Sequence, residues 1–395
     1  MNGVRWTILS ASLLLVCATA AAQNPTYRVV GTGQTKCYDN SKEIPAPKPG
    51  EAFYGQDAQH PGPAPAYKDN GDGTVTDLNT ALMWVKARGE RATWKDAVAG
   101  AAKCRVGGHA DWRAPTIKEL YSLINLMGGF HLSAADSTPY LDAKYFGFVY
   151  GDEARGQRGI DCQDWSGTGY ISSETNNGAK AFGVNFADGR IKGYGLLDPR
   201  SGGQKRMYIR YVRGKADYGK NDFHDNGDGT ITDRATGLMW TKADSGKGMN
   251  WQDALAWVQA KNRERYLGHN DWRLPNAKEL QSMADYSRVP AIDPVFQISK
   301  LADGEHPFFW TSTTHLDGPP DRQGGAAIYV AFGRATGWIQ FPPGRGEFKL
   351  LDVHGAGAQR SDPKAGNPAD FPRGRGPQGD EIRIFNYARA VRNME

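Results

Sequence analysis

Two short stretches of the sequence carry enough side-chain oxygens to suggest metal chemistry. Both read DNGDGT, at 69–74 and at 225–230. Carboxylate and amide oxygens are the ligands that Ca²⁺ prefers, and here they are supplied by Asp69, Asn70, Asp72, Asp225, Asn226 and Asp228. In the spacing of an EF-hand loop, however, Lys68 or His224 would occupy the first ligand position. Because a lysine repels a cation there, calcium is the weaker interpretation.

The Asn-Gly and Asp-Gly pairs in these stretches are typical of tight hairpin turns, and a β-branched run follows them. This pattern predicts a turn that enters a strand over Thr74–Asp77. We therefore favour a structural role and expect no metal or cofactor beyond the weak calcium candidates.

A second group of chemically active residues lies in the segment 342–381, which is rich in Gly and Pro and is predicted to be a long loop. Ammonium and guanidinium groups bind sulfate and carboxylate groups, and long loops on a rigid scaffold often carry binding sites. The candidate ligand-binding residues are Arg345, Lys349, His354, Arg360, Lys364, Arg373 and Arg375. The alternative is a solvated loop whose aspartates balance this charge. The insertion at 142–169 is a second region in which to look for a ligand.

Catalytic patterns are absent from the sequence. His109 and His269 occupy equivalent places before Asp-Trp-Arg, where a structural hydrogen-bonding role is favoured over metal binding. There is no HExxH pair for zinc and no Gly-x-Ser-x-Gly turn for a nucleophilic serine. We therefore expect no enzyme and name no catalytic residue.

Composition and charge narrow the class of protein further. The chain has 395 residues, of which 11% are aromatic, so it can build sizeable cores. Its formal net charge is only +5, and no block of Lys and Arg stands out. The electrostatic pattern of a nucleic-acid-binding protein is therefore missing.

The first 22 residues predict export. Arg5 precedes the apolar run 8–16, and Ala20-Ala21-Ala22 offers a cleavage site, which together are typical of a signal peptide. A lipoprotein attached through Cys17 is the less favoured alternative. Since no later segment is apolar enough for a membrane helix, we expect a periplasmic, cell-surface or secreted protein.

The remainder of the chain contains an internal duplication. DNGDGTVTDLNTALMW at 69–84 and DNGDGTITDRATGLMW at 225–240 share twelve of sixteen residues, and HADWRAPTIKEL at 109–120 and HNDWRLPNAKEL at 269–280 share eight of twelve. Weaker matches follow in the same order, including VNFADG at 184–189 with VAFGRA at 330–335. The sequence therefore predicts two copies of one domain of roughly 150 residues.

Each copy contains signals for two helices. Thr93 with Asp96, and Asn250 with Asp253, fit the first turn of one helix, while Thr116 with Glu119 and Asn276 with Glu279 form capping boxes for the next. Short strands rich in Ser, Thr and aromatic residues follow. The pattern predicts an α+β domain with mostly antiparallel strands.

The blocks DNGDGTVTD…LMW, DWRAPTIKEL, YISS, VNFADGR and YVRG resemble the Lcl C-terminal domain family over about 68–213 and again over 224–392. The resemblance implies tandem C-type-lectin-like domains. On this basis we divide the chain into a signal peptide (1–22), a lead segment (23–67), a first domain (68–214), a linker (215–223) and a second domain (224–395) that contains the long loop.

The resemblance also implies a function, because some family members attach to sulfated glycans or to host surface proteins. We expect an exported, non-catalytic binding or adhesion protein whose partner is an acidic or sulfated glycan or a surface protein. The alternatives are an enzyme of unrecognised type on the same fold, marked by clustered ionisable residues in one pocket, and a structural component of the envelope. Because the two copies differ in their loops, two equivalent binding sites are not expected.

The cysteines depart from the family pattern. After the signal peptide, Cys37, Cys104 and Cys162 remain, and their spacing alone does not choose a pair. Family members often pair a Cys at the position of Cys104 with one near the terminal Val-Arg block, where this sequence has Tyr211. Beside this resemblance, Cys162 is the candidate partner for Cys104 or for Cys37, and we take Cys104 and Cys162 as the disulfide candidate.

Overall fold

The fold was analysed in a computed structural model that describes residues 25–131, 133–171, 179–198, 201–319, 323–341, 345–376 and 378–394. The predicted signal peptide lies outside these residues. Within them the chain is an α+β protein with mostly antiparallel sheets and few helices. No helix in the described part of the chain is long and apolar enough to cross a membrane.

The lead segment and the first repeat contain two α-helices and eleven strands among the described residues. The helices are α1 (Trp94–Gly100) and α2 (Ile117–Ser122). The strands are β1 (Cys37–Tyr38), β2 (Glu43–Ile44), β3 (Tyr67–Asp69), β4 (Thr74–Asp77), β5 (Met83–Val85), β6 (Ala92–Thr93), β7 (Asp164–Tyr170), β8 (Lys180–Asn185), β9 (Arg190–Gly195), β10 (Arg206–Ile209) and β11 (Val212–Arg213).

The second repeat follows the same order and adds strands near its end. Its helices are α3 (Trp251–Arg263) and α4 (Ala277–Ser282). Its strands, as described, are β12 (Phe223–Asp225), β13 (Thr230–Asp233), β14 (Leu238–Thr241), β15 (Phe308–His315), β16 (Ala326–Ala331), β17 (Thr336–Phe341), β18 (Glu347–Asp352), β19 (Ala358–Pro363) and β20 (Val391–Asn393).

The two DNGDGT stretches form the predicted hairpin turns. Oδ1 of Asp72 accepts hydrogen bonds from the backbone N (3.0 Å) and the hydroxyl (2.6 Å) of Thr74, and Oδ1 of Asp69 accepts from the N of Gly71 (3.0 Å). Gly71 has a φ of 80°, which glycine adopts without strain. Asp225, Asn226 and Asp228 repeat these contacts in the second copy. The side-chain oxygens are thus directed into the turn and hold it closed.

The predicted helix starts are confirmed. Thr93 and Asn250 cap α1 and α3, and capping boxes join Thr116 to Glu119 and Asn276 to Glu279. Each of these contacts satisfies a backbone N–H that has no partner within the helix. The repeated blocks therefore specify the same local structure in both copies.

One eight-stranded sheet runs through both repeats, in the order β15-β16-β19-β9-β8-β7-β10-β6. Helices α2 and α4 pack against each other and against the middle strands β8 and β16. Helix α1 packs against β7 and β10, whereas α3 packs against β15. Because the sheet is continuous, the repeats share one framework instead of forming two separate bodies joined by a linker.

The second repeat departs from the first at one strand. The match of 184–189 with 330–335 places β17 (Thr336–Phe341) as the counterpart of β9. In the first repeat β9 pairs with β8, but β17 pairs with β18 in a separate hairpin. Strand β19 takes the place beside β16 and also pairs with β9. The segment 342–381, predicted to be a loop, therefore supplies the strand that joins the two repeats, and that prediction was wrong.

Two lysines at equivalent positions connect the helices reciprocally. Nζ of Lys118 on α2 donates to the carbonyl oxygen of Ser282 at the end of α4 (2.7 Å), and Nζ of Lys278 on α4 donates to the carbonyl oxygen of Ser122 at the end of α2 (2.8 Å). Lys278 also donates to Gly31 in the lead segment (3.0 Å). We call this pair the lysine clamp. Burial lowers the pKa of Lys118 to about 8 and that of Lys278 to about 7.

The lead segment is part of the same framework. Nε2 of Gln34 donates to the carbonyl oxygens of Leu126 (3.2 Å) and Thr314 (2.9 Å), one from each repeat. Buried Asp57 accepts a hydrogen bond of 2.5 Å from Thr313 on β15. These contacts lie far apart in the sequence, and together they fix the position of the second repeat relative to the first.

Replacing Lys278 by Met tests the clamp. Two buried carbonyl oxygens would lose their donor, so we expect the free energy of unfolding to fall by about 1–3 kcal/mol at pH 7. Between pH 7 and about 10 the unfolded chain binds the proton that native Lys278 has released, so its contribution to stability rises with pH. K278M should flatten that rise. Urea unfolding at several pH values measures both effects, and Lys95→Met, an exposed lysine on α1, is the matched control.

Candidate functional site

The structure divides the seven basic residues predicted to bind ligand into separate groups. Arg345, Lys349, Arg373 and Arg375 are exposed, whereas His354, Arg360 and Lys364 are buried. Nζ of Lys364 donates to the carbonyl oxygen of Asp39 (2.9 Å) and to Oγ1 of Thr314 (2.8 Å) and lies 3.8 Å from the centre of the Trp251 ring. Lys364 therefore anchors the lead segment and does not face a ligand.

The exposed residues among the seven lie on or near the β17–β18 hairpin. Lys349 is paired with Ile339 in that hairpin, and the guanidinium of Arg373 stacks 4.6 Å from the centre of the Phe348 ring. Only Arg360 and Arg375 line a cleft. The structure therefore does not bring these seven residues together in one site, because strands β18 and β19 direct them to different parts of the molecule.

The cleft formed partly by Arg360 and Arg375 lies where the two repeats meet in the sheet, and we call it the junction cleft. Its cavity volume is about 270 Å³. Strands β9 and β19 form its floor, and they pair only through Ile191 and Gln359. The lining residues are Arg158, Ile160, Gln163, Asn185, Asp188, Arg190, Lys192, Tyr194, His315, Asp317, Gly318, Ala326, Arg360, Ser361, Asp362, Pro363, Arg375, Gly376, Gln378, Asp380 and Ile382. Both repeats thus contribute side chains to one site.

Arg190 at the start of β9 is held by carboxylates on both sides. Its Nη1 lies 2.5 Å from Oδ2 of Asp317 and 3.3 Å from Oδ2 of Asp188. Asp317 also accepts hydrogen bonds from the backbone N of Phe130 (3.0 Å) and the hydroxyl of Tyr140 (3.2 Å). The charge of Arg190 is therefore neutralised within the protein, and its guanidinium is fixed in place.

A second fixed group surrounds Asp380. Its carboxylate accepts from Nε2 of His354 (2.7 Å) and forms an ion pair with Arg360. Burial alone would raise the pKa of Asp380, but Arg360 and His354 hold it well below its usual range. Burial, aided by the charge of Arg360, lowers the pKa of His354 to about 3, so this imidazole is neutral at pH 7. Arg360, like Arg190, therefore has its charge balanced.

Lys192, two residues after Arg190 on β9, is different. Within the part of the chain that the structure describes, its ammonium has no hydrogen-bond or ion-pair partner, and it lies 4.7 Å from the centre of the Tyr194 ring. Burial, followed by the nearby charge of Arg360, lowers the pKa of Lys192 to about 7. Exposed Arg375 at the rim likewise has no ion-pair partner among the described residues. These two cations are the ones left to meet a ligand.

The junction cleft also contains carboxylate oxygens without a donor. Oδ1 of Asp188 and Oδ1 of Asp362 are buried, and neither accepts a hydrogen bond from the described residues. The other oxygen of Asp362 accepts from the backbone N of Arg383 (3.1 Å) and Ile384 (3.0 Å) and from the side chain of Asn386 (2.9 Å). A buried acceptor without a donor is costly, so these oxygens are suited to hydroxyl groups of a ligand.

One nucleophile and one base also meet in the junction cleft. The hydroxyl of Ser361 lies 2.9 Å from Nδ1 of His315, and Nε2 of His315 lies 2.9 Å from the carbonyl oxygen of Asp188. Since a carbonyl only accepts, Nε2 carries the proton and Nδ1 is the acceptor. Nη2 of Arg190 also lies within reach of Nδ1 (3.3 Å) and of the Ser361 hydroxyl (3.2 Å). Burial, together with the charge of Arg190, lowers the pKa of His315 well below its usual value. The imidazole is therefore neutral but a weak base.

Sequence reasoning missed most of this site. Arg190, Lys192 and Tyr194 alternate along β9, and a spacing of two on a strand places side chains on one face. That signal was available in RIKGYG at 190–195. The meeting of β9 with β19 was not, because the two strands lie more than 160 residues apart and their pairing reflects the rerouting of the second repeat.

No three His, Cys, Asp or Glu side chains among the described residues are grouped closely enough to hold a metal ion. In the turns, the oxygens of Asp69, Asp72, Asp225 and Asp228 accept hydrogen bonds from their own backbone. Lys86 and Lys242 pair with the first aspartate of each turn. These aspartates are thus engaged in holding the turns and in pairing with the two lysines.

Comparison with known proteins identifies the family. The model of the Lcl C-terminal domain matches residues 73–213 and 229–344, which together make up more than half of the chain. The chain belongs to the Lcl C-terminal domain family. Searches of curated proteins and of solved structures found no match.

The two matched segments confirm the tandem copies of this domain. Arg190, Lys192 and His315 lie within the matched segments, whereas Arg360 and Asp380 lie beyond the second one, which ends at 344. The junction cleft therefore combines strands of the Lcl C-terminal domain with the segment that follows the second match.

The structure contains free thiols at Cys37, Cys104 and Cys162, so the predicted disulfide between Cys104 and Cys162 is absent. Sγ of Cys162 is fully buried, 3.5 Å from the carbonyl oxygen of Gly159 and 3.8 Å from Oδ1 of Asn185. Cys104 is partly exposed at the end of a 3₁₀ helix over Ala101–Lys103. The two thiols therefore lie in different environments, since Cys162 is buried in the core whereas Cys104 is partly exposed.

Thiol labelling tests this correction. We expect the protein lacking residues 1–22 to react at three thiols after unfolding without reductant, because none is oxidised. In the native protein Cys104 should react first, since Cys37 and Cys162 are buried. Mass spectrometry after alkylation locates each label. If only one thiol were labelled in the unfolded, unreduced protein, a disulfide would be present and the assignment wrong.

Proposed function

We propose that this chain is an exported, non-catalytic binding protein that recognises an acidic or sulfated glycan in the junction cleft. The observation that carries the proposal is Lys192, a cation without an ion-pair partner among the described residues, in a cleft lined by polar groups. A charged group that is partly withdrawn from water gains most from a partner of opposite charge. An anionic group of a ligand supplies that partner.

The shape of the cleft supports a small polar ligand or one unit of a chain. Its volume of about 270 Å³ is close to the lower end of the range for small-molecule sites, roughly 300–1,000 Å³. Arg190 and Arg360 are held rigidly by Asp317 and Asp380, so little ordering is required of these side chains on binding. A site that is formed before the ligand arrives loses less conformational entropy on binding.

The remaining parts of the proposal rest on the sequence. We propose a C-type-lectin-like fold for each repeat and a location outside the cytoplasm, from the family resemblance and the predicted signal peptide. In that location an acidic glycan or a glycosylated surface protein is the natural partner. Adhesion then follows from binding of the glycan.

Binding of acidic oligosaccharides to the protein tests the proposal. We expect calorimetry with uronic-acid-containing and sulfated oligosaccharides to detect binding by at least one of them, and Lys192→Met to weaken it about tenfold or more, as expected for a lost charge-assisted contact. Because the pKa of Lys192 is about 7, affinity should fall from pH 6 to pH 9. Lys95→Met is the control. No binding by any acidic oligosaccharide would refute the proposal.

A second candidate function is hydrolysis at Ser361, favoured by its hydrogen bond to His315. The low pKa of His315 argues against it, because an efficient general base has a pKa near the working pH. A fluorophosphonate probe decides between the two. We expect no labelling of Ser361 under conditions in which a serine hydrolase is fully labelled. Labelling that is lost in both Ser361→Ala and His315→Gln would establish the hydrolytic function.

A further inference from the structure

We infer that the junction cleft takes a polyhydroxy acid with a single carboxylate, such as one uronic acid unit, in preference to a sulfated sugar. The inference rests on the proposed function and names the chemical class of its ligand. It depends on which polar groups of the cleft are already paired within the protein and which are left over.

The positive charges that line the junction cleft are balanced by the negative charges of nearby carboxylates. Five lining cations face four lining carboxylates together with Asp161, which pairs with Arg158 from outside the lining, so the formal charges balance with the histidines neutral. Arg158 is paired with Asp161, Arg190 with Asp188 and Asp317, and Arg360 with Asp380. Lys192 is the cation in the interior that has no such partner, and Arg375 lies at the exposed rim. A single anionic group beside Lys192 would therefore meet the one interior cation that has no partner among the described residues.

A ligand with several sulfates would meet opposing charges. Its second and third anionic groups would approach Asp188, Asp362 or Asp380, and like charges at close range repel. Displacing Asp188 or Asp380 from its arginine would break an ion pair that is largely buried. The balance of charge therefore selects against a densely sulfated chain.

The unsatisfied acceptors identify the rest of the ligand. Oδ1 of Asp188 and Oδ1 of Asp362 are buried without a donor in the described structure, and an ionised carboxylate can only accept. Sulfate and carboxylate groups carry no proton to donate at neutral pH, whereas sugar hydroxyl groups do. A ligand that brings one carboxylate for Lys192 and hydroxyl groups for the two aspartates fits all three positions.

Four kinds of ligand separate the contributions of the carboxylate, the hydroxyl groups and sulfate. They are glucuronate or galacturonate, the corresponding neutral sugars, cyclohexanecarboxylate, and a sulfated disaccharide without a carboxylate. Calorimetry with the full mature chain is expected to rank a uronate at least tenfold above each of the other three. Lys192→Met should reduce uronate affinity about tenfold or more, whereas Asp188→Asn should mainly reduce the preference for uronate over cyclohexanecarboxylate. Melting temperatures show whether each variant is folded, and Lys192→Gln serves if the Met variant is not.

The outcomes distinguish the two proposals. Tighter binding of the sulfated disaccharide, lost in K192M but kept in K95M, would overturn the uronate inference and leave the proposed function intact. Equal binding of uronate and cyclohexanecarboxylate would also overturn it, because the hydroxyl groups would then contribute nothing. Binding of uronate that K192M leaves unchanged would place the ligand outside the junction cleft and would refute both.

Discussion

The lysine clamp is the interaction on which the shared framework depends. Lys118 on α2 donates to the last turn of α4, and Lys278 on α4 donates to the last turn of α2. The end of each helix therefore needs a donor from the other repeat. A charged amine is costly to bury, and both lysines offset this cost by donating to several oxygens. Because α2 and α4 lie against β8 and β16, the clamp aligns the two halves of the sheet. That alignment brings β9 beside β19 and thereby creates the junction cleft.

Local structure was largely predictable from the sequence, since turns and helix starts depend on residues close together in the chain. The turns at DNGDGT, the strand Thr74–Asp77 and the capping boxes at Thr116 and Asn276 were all predicted correctly. Each is determined by side chains that bond to their own backbone within three or four residues. The eight-stranded sheet could not be derived in this way. Its order reflects packing between distant segments, and nothing in the spacing of the two copies indicated that they share strands.

The same limit explains the errors at the candidate site. The high Gly and Pro content of the segment 342–381 predicts a loop, yet Glu347–Asp352 and Ala358–Pro363 within it form strands. Basic charge alone also did not separate residues that face a ligand from residues that hold the fold. Lys364 and Lys192 are both partly or fully withdrawn from water, but Lys364 has two oxygen partners whereas Lys192 has none in the described structure. Only the contacts distinguish the structural lysine from the lysine that we propose to bind the ligand.

The rerouted strand also explains why the two copies contribute different strands to the junction cleft. In the first repeat β9 carries Arg190 and Lys192 into the sheet, but its counterpart β17 carries Thr336 and Trp338 at these positions into a separate hairpin. The position beside β16 is filled by β19, which brings Arg360 and Asp362. Neither repeat could build this site alone, because the two strands of its floor come from different copies. Duplication therefore supplied the framework, and the insertion after the second copy of the domain made its two halves unequal.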